Sequence, residues 1–168
     1  VFNIVAAFNL FRKKFAGFKL LIGGHAKGEY FEKIKEYIKY EKLEKEAIFL
    51  GHLNDNQLSF LYKRAQALVF PSFVEGFGFP VLEAMHCGLP VITSNTSSLA
   101  EIGGGGSALL VDPKNADEIA QAMEKISQDP GFRQNLVNKG FVQAGLFSWD
   151  KAAREMLQII QSYEESTS

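Results

Sequence analysis

Short apolar runs alternate with amphipathic segments along most of the 168-residue chain. Each run is about four residues long, is apolar on both faces and is bounded by glycine or proline, as is typical of buried parallel strands. The segments between the runs repeat their apolar residues at helical spacing. This alternation predicts an α/β fold with a doubly wound parallel sheet. The predicted strands cover residues 19–22, 47–50, 67–70, 90–93 and 108–111.

Capping and stop signals place the helices between these strands. Asn115 with Glu118 three residues later resembles a capping box, and Gly140 is expected to stop the helix that begins at Asp129-Pro130. Ser148 can cap a last helix over 149–163, in which Trp149 is expected to pack in the core, and residues 164–168 are expected to form a polar tail. The remaining helices are predicted over 1–14, 27–43, from Asn54 or Asp55, from Pro80 to Gly88, and over 97–102.

Four loops follow the first four predicted strands. They hold Gly23-Gly24, Gly51-His52, the segment 75–79, and Ser94-Asn95. In a doubly wound sheet, ligands bind outside the carboxyl ends of the strands. We therefore expect a binding site at this edge, although His52 taken alone is more typical of a core or surface histidine.

The segment 75–79 joins a strand to a helix that begins at Pro80. Gly76, Phe77 and Gly78 form the loop, and proline is favoured in the first turn of a helix. Backbone N–H groups and the positive end of the helix dipole would face an anion here. The glycines could equally serve a plain turn.

Two carboxylates, Glu75 and Glu83, flank this loop with seven residues between them. Carboxylates repel phosphate, so beside an anion they are expected to bind another part of the same ligand, such as sugar hydroxyls. A carboxylate can accept two hydrogen bonds from a cis-diol such as a ribose. Two alternatives stay open at this point: Glu83 as an acid stabilised by the helix dipole, and Glu75 as a solvated loop residue.

Composition narrows the classes of function. A formal net charge of −1 provides no basic field for nucleic acid, and one cysteine, Cys87, excludes an internal disulfide framework. No apolar run approaches a membrane span, and no metal-ligand cluster is visible. No Lys or Arg occurs between Ala65 and Pro113, so a diphosphate would need cations from elsewhere.

The run EGFGFPVLEAMHCGLPV at residues 75–91 resembles the E-x7-E motif of the large retaining glycosyltransferase family often called group 1. The resemblance continues through SSLAEIG at 97–103 and ALLVDP at 108–113, and upstream through LIGG at 21–24 and FLG at 49–51. It covers nearly all of residues 1–163. It implies a Rossmann-like doubly wound sheet that forms the C-terminal, donor-binding half of a two-domain GT-B enzyme.

The resemblance also implies roles for the site. Glu83 would hold the ribose of a nucleotide diphosphate sugar linked to UDP, GDP or ADP, and Glu75, the candidate catalytic residue, would contact hydroxyls of the donor hexose. Backbone amides of 76–78 would face the hexose and the diphosphate. Gly51-His52 would lie beside the base and Ser94-Asn95 near the phosphate edge.

The chain opens at Val1 without a methionine, which suggests a fragment of a longer protein. By resemblance, the acceptor domain and an Arg/Lys pair that neutralises the diphosphate lie before Val1. The isolated chain is then expected to bind donor weakly without turnover, with no metal or other cofactor. A cytoplasmic protein is expected, and peripheral association with the inner face of a membrane is left open. The alternatives are a nucleotide-sugar epimerase of the same fold and a non-catalytic flavodoxin-like binding module.

Overall fold

The computed structural model describes the backbone of residues 1–24 and 27–167, with side chains described up to Tyr163. Within these ranges, strands and helices alternate as the hydrophobic pattern predicts. The strands are β1 (Leu20–Gly23), β2 (Ala47–Gly51), β3 (Leu68–Phe70), β4 (Val91–Ser94) and β5 (Leu109–Val111). The helices are α1 (Phe2–Arg12), α2 (Glu29–Tyr40), α3 (Asp55–Tyr62), α4 (Phe79–His86), α5 (Ser97–Ile102), α6 (Ala116–Gln128), α7 (Pro130–Ala144) and α8 (Trp149–Thr167).

All strand pairs of the described chain are parallel, which confirms the α/β, Rossmann-like class. The strands nevertheless form two ladders, β1–β2 and β3–β4–β5, instead of one continuous sheet. The pattern of apolar runs could not show this, because it predicts strands and not which strands are paired.

Two buried clusters hold the elements together. The larger one joins both ladders to α1, α2 and α6, and α1 packs along α6 with Val5 and Phe8 buried. The smaller one lies under α4, where Val81 and Met85 meet Leu99 of α5. Because α4 is anchored on this second cluster, its N-terminus is fixed at the carboxyl end of β3.

Gly140 lies inside α7, contrary to the predicted stop near this residue, and the helix continues to Ala144. A Cβ atom at Gly140 would lie 3.2 Å from Cγ of Met85. The glycine therefore permits the close approach of α7 to α4, and tertiary packing outweighs its weak helix propensity.

The last helix departs most from the expectation. It extends to Thr167, beyond the predicted end at 163, since Glu164 and Glu165 are good helix formers; Ser168 lies outside the described residues. Trp149 is 80% exposed, so the prediction that it packs in the core is wrong. The apolar residues of α8 are also half or more exposed: Met156, Leu157, Ile159, Ile160 and Tyr163.

Candidate functional site

Gly78 sets the shape of the loop between β3 and α4. It is the N-cap of α4, with φ 114° and ψ 41°, a conformation that L-residues rarely adopt. A Cβ atom here would also lie 2.8 Å from Cδ2 of Leu99, which is fully buried. The position therefore requires glycine for two independent reasons.

The loop presents unbonded backbone N–H groups. Among the hydrogen bonds of the described residues, none has the amide of Gly76, Phe77 or Gly78 as its donor. Gly76 and Phe77 are exposed, and both lie at the N-terminal end of α4. Unbonded amides at a helix N-terminus can bind an anion.

Hydroxyl groups hold Glu75 at the start of this loop. The Ser72 hydroxyl donates to the Glu75 carboxylate over 2.8 Å, and the Ser98 hydroxyl donates to its carbonyl oxygen over 2.9 Å. The Glu75 amide donates to the hydroxyl of Ser97 over 3.4 Å. The carboxylate is half-buried and fixed by local structure, so it is not a free solvated loop acid.

Ser94, predicted to lie near the phosphate edge, is the last residue of β4. Its side chain is fully buried, and its hydroxyl donates to the carbonyl oxygen of Ser72. The neighbouring Thr93 donates to the carbonyl oxygen of Phe70 over 3.0 Å. In this arrangement Ser94 affects the site through Ser72, and only Asn95 of the predicted pair is exposed. Sequence spacing could not show that Ser94 is buried whereas Asn95 is exposed.

Glu83 lies in the second turn of α4, exposed to solvent, and close to Tyr62 of α3. Burial is the main cause that raises the pKa of the Tyr62 phenol to about 12, and electrostatic repulsion from Glu83 and then Cys87 adds to it. Tyr62 therefore stays neutral at physiological pH beside the carboxylate. The sequence gives no hint of this pairing, because Tyr62 occupies an ordinary apolar position of α3.

The raised Tyr62 pKa predicts a loss of stability in alkali. The ordinary pKa is 10.0, so between there and about 12 the folded protein keeps a proton that the unfolded chain releases. The free energy of unfolding should then fall as pH rises through this interval. Urea unfolding at several pH values should show this fall in the wild type and a shallower one in Tyr62→Phe. Tyr40→Phe, at an exposed tyrosine, is the control; equal slopes in all three proteins would contradict the prediction.

A cavity of about 490 Å³ opens beside the loop, at the carboxyl ends of β3, β4 and β5. Lys114 lines it and supplies a positive charge that sequence analysis missed, because this residue lies one position beyond the interval without Lys or Arg. The available signal was a cation three residues after the end of a predicted strand. The lining residues are Phe73, Val74, Asn95, Thr96, Asp112, Pro113 and Lys114.

Gly51 is the last residue of β2 and His52 follows it, so both belong to the other ladder. His52 is exposed, and the Gly51 carbonyl oxygen accepts a hydrogen bond of 2.8 Å from the amide of Gly24. The structure thus places Gly51-His52 at the end of its strand, as predicted. Its place beside a base stays a prediction.

The described residues show neither a metal-binding cluster nor a membrane-spanning helix. Within the described ranges, no three side chains of His, Cys, Asp or Glu come close enough together to hold a metal ion. No described helix combines the length and hydropathy that crossing a membrane requires. The metal-independent reaction and the cytoplasmic location stay predictions.

Comparison with known proteins assigns the chain to a family. The model for "Glycosyl transferases group 1" matches residues 1–143. The chain is 40% identical over 109 residues to O-antigen chain mannosyltransferase B of Escherichia coli, an alignment that covers 65% of this chain and 28% of the relative. The chain thus spans little more than a quarter of that protein's length.

Solved structures share the fold. The C-terminal domain of a glycosyl transferase group 1 family protein from Francisella tularensis is 25% identical, with a TM-score of 0.78 over 86% of this chain and 76% of that one. Anabaena HepE, solved with UDP-glucose, is 20% identical and has a TM-score of 0.85 over 95% of this chain and 44% of that one. With residues 1–143 matched by the family model and a GT-B glycosyltransferase fold, the chain belongs to the group 1 glycosyltransferases.

Proposed function

We propose that this chain is the donor-binding domain of a retaining glycosyltransferase and that it binds a nucleotide diphosphate sugar. The observation that carries the proposal is the set of unbonded amides at Gly76, Phe77 and Gly78, which lies between two carboxylates at the carboxyl end of β3. Amides suit a diphosphate, whereas carboxylates suit hydroxyls. A nucleotide sugar carries both groups on one molecule.

Each part of the site then has a separate partner. The amides of 76–78 face the diphosphate and the hexose, and the half-buried Glu75 accepts hydrogen bonds from hexose hydroxyls. Glu83, exposed on α4, accepts two hydrogen bonds from the ribose. Gly51-His52 lies beside the base, and Asn95 lies near the phosphate edge.

The negative charge that develops during the reaction explains why the amides matter. When the glycosidic bond breaks, the leaving diphosphate gains negative charge. Donors already aimed at that position stabilise the transition state without reorganising. Lys114, exposed in the cavity that Phe73 and Val74 also line, can contribute one positive charge. We propose that further cations and the acceptor site come from another domain of a longer protein, so that the 168-residue chain binds donor without turnover.

Similar proteins support this assignment. HepE has been solved with UDP and glucose and with UDP-glucose, and the Escherichia coli relative is named a mannosyltransferase. The family assignment also favours a glycosyltransferase over the epimerase and flavodoxin-like alternatives. Retention of anomeric configuration and metal independence remain part of the proposal.

Calorimetry of the chain with UDP, GDP and ADP is expected to show saturable binding of at least one nucleotide, since the amides and the ribose carboxylate recognise parts common to all three. Titration in the presence of EDTA tests metal independence. Failure of all three nucleotides to bind would contradict the proposed function. For a protein that also contains the acceptor domain, the anomeric configuration of the product tests the retaining mechanism.

A further inference from the structure

Four aromatic side chains connect the glycine loop to the beginning of α8. We name them the aromatic strip: Phe77, Phe79, Phe147 and Trp149. The ring centroids of Phe77 and Phe79 lie 4.8 Å apart, and the Phe147 ring meets Phe77 edge-on at 5.9 Å. Trp149 stacks on Phe79 at 6.1 Å with an interplanar angle of 24°. The strip therefore runs from the loop through the first residue of α4 to the first residue of α8.

The burial of the strip changes along its length. Phe147 packs against the smaller core cluster, whereas Phe77 is 40%, Phe79 50% and Trp149 80% exposed. Three rings that remain this exposed contribute little to the core of the fold. Their mutual contacts instead have the centroid distances and orientations of favourable aromatic pairs.

The loop is thus supported on two sides. Toward β4 and α5, the hydroxyls of Ser97 and Ser98 bond the backbone of Glu75. Toward α7 and α8, the support comes from Phe147 and Trp149. Between these supports, a Cβ atom at Gly76 would meet nothing within 4 Å.

We propose that Phe147 and Trp149 are positioning residues that hold the glycine loop in its nucleotide-binding conformation through Phe77 and Phe79. This inference rests on the proposed function of the loop. It also makes the two ends of the strip interdependent: a nucleotide that orders the loop stabilises the contact with α8, and the position of α8 affects nucleotide affinity. Such coupling is reciprocal.

Hydrogen–deuterium exchange without ligand tests the contact independently of nucleotide binding. In Trp149→Ala, the amides of Val81 and Leu82, which both donate to the carbonyl oxygen of Gly78, are expected to exchange several-fold faster than in the wild type. Trp149→Phe, which keeps a ring, should stay close to the wild type. Tyr40→Ala removes an aromatic side chain that is 83% exposed on α2 and serves as the matched control. Equal exchange at Val81 and Leu82 in Trp149→Ala and Tyr40→Ala would overturn the proposal.

Fluorescence and calorimetry with UDP, GDP and ADP test the consequence for binding. Trp149 is the single tryptophan of the chain, so its emission reports the strip directly. For a nucleotide that binds the wild type, saturation should change this emission, and Trp149→Ala should bind about two- to tenfold more weakly, as expected for one aromatic pair. Unchanged affinity in Trp149→Ala would overturn this inference alone. Absence of binding to the wild type would overturn the proposed function together with the coupling.

Discussion

Replacement of Glu83 by alanine is expected to weaken nucleotide binding about ten- to hundredfold, the loss typical of hydrogen bonds to a charged group. The variant should fold normally, because the Glu83 side chain is exposed on α4. Calorimetry measures the affinity, and urea unfolding confirms the fold. Glu36→Ala is the matched control, since it removes another exposed helical glutamate, on α2.

The assignment of Glu83 to the ribose has a sharper test. A nucleotide that lacks the 2′- and 3′-hydroxyls should bind the wild type as weakly as the normal nucleotide binds Glu83→Ala. In Glu83→Ala, the two nucleotides should bind alike, because the group that distinguishes them is absent. If the variant still distinguishes them as the wild type does, Glu83 does not hold the ribose, and its role is that of an acid near a helix N-terminus.

Replacement of Gly78 by alanine is expected to destabilise the protein by about 2–5 kcal/mol, the sum of a left-handed backbone penalty and overpacking. The new methyl group would lie 2.8 Å from Leu99 and 3.2 Å from Ile102, which are both buried. The clash should move the N-terminus of α4 and abolish nucleotide binding. Urea unfolding and calorimetry measure the two effects.

Gly76→Ala is the matched control for Gly78→Ala. Its free energy of unfolding should stay within about 1 kcal/mol of the wild type, because the new methyl group enters open space. Its nucleotide affinity should nevertheless fall, since that methyl group projects from the exposed loop that the donor approaches. Normal binding by Gly76→Ala would place the donor elsewhere, and a stable Gly78→Ala would contradict the loop geometry.

The sequence predicted the features that local rules control. Asn54 and Gln57 form a full capping box, and Asn115 accepts a hydrogen bond from the amide of Glu118, both at predicted helix starts. The strand, loop and helix order around Glu75 and Glu83 also agrees with the prediction. Capping residues, prolines and apolar periodicity act over a few positions, so they can be recognised without the tertiary structure.

Other features depend on contacts between distant segments. Gly140 is of the residue type that commonly ends a helix, but α7 continues beyond it. The glycine is needed there because α7 packs closely against Met85 of α4. Trp149 is a large aromatic residue of the kind usually found in a core, yet it stacks on the exposed Phe79, seventy positions earlier. The hydroxyls of Ser97 and Ser98 bond the backbone of Glu75. In the sequence these serines look like ordinary polar residues, because only the pairing of β4 with β3 places them next to the loop. No local pattern could have identified these contacts.

The most direct test of the central claim is an NMR titration of the ¹⁵N-labelled chain with the nucleotide that binds in calorimetry. The largest changes in amide chemical shift are expected at Gly76, Phe77 and Gly78, and Glu83→Ala is expected to shift the titration to higher nucleotide concentration. Changes confined to other residues, with the amides of 76–78 unaffected at saturation, would contradict a donor site at the glycine loop.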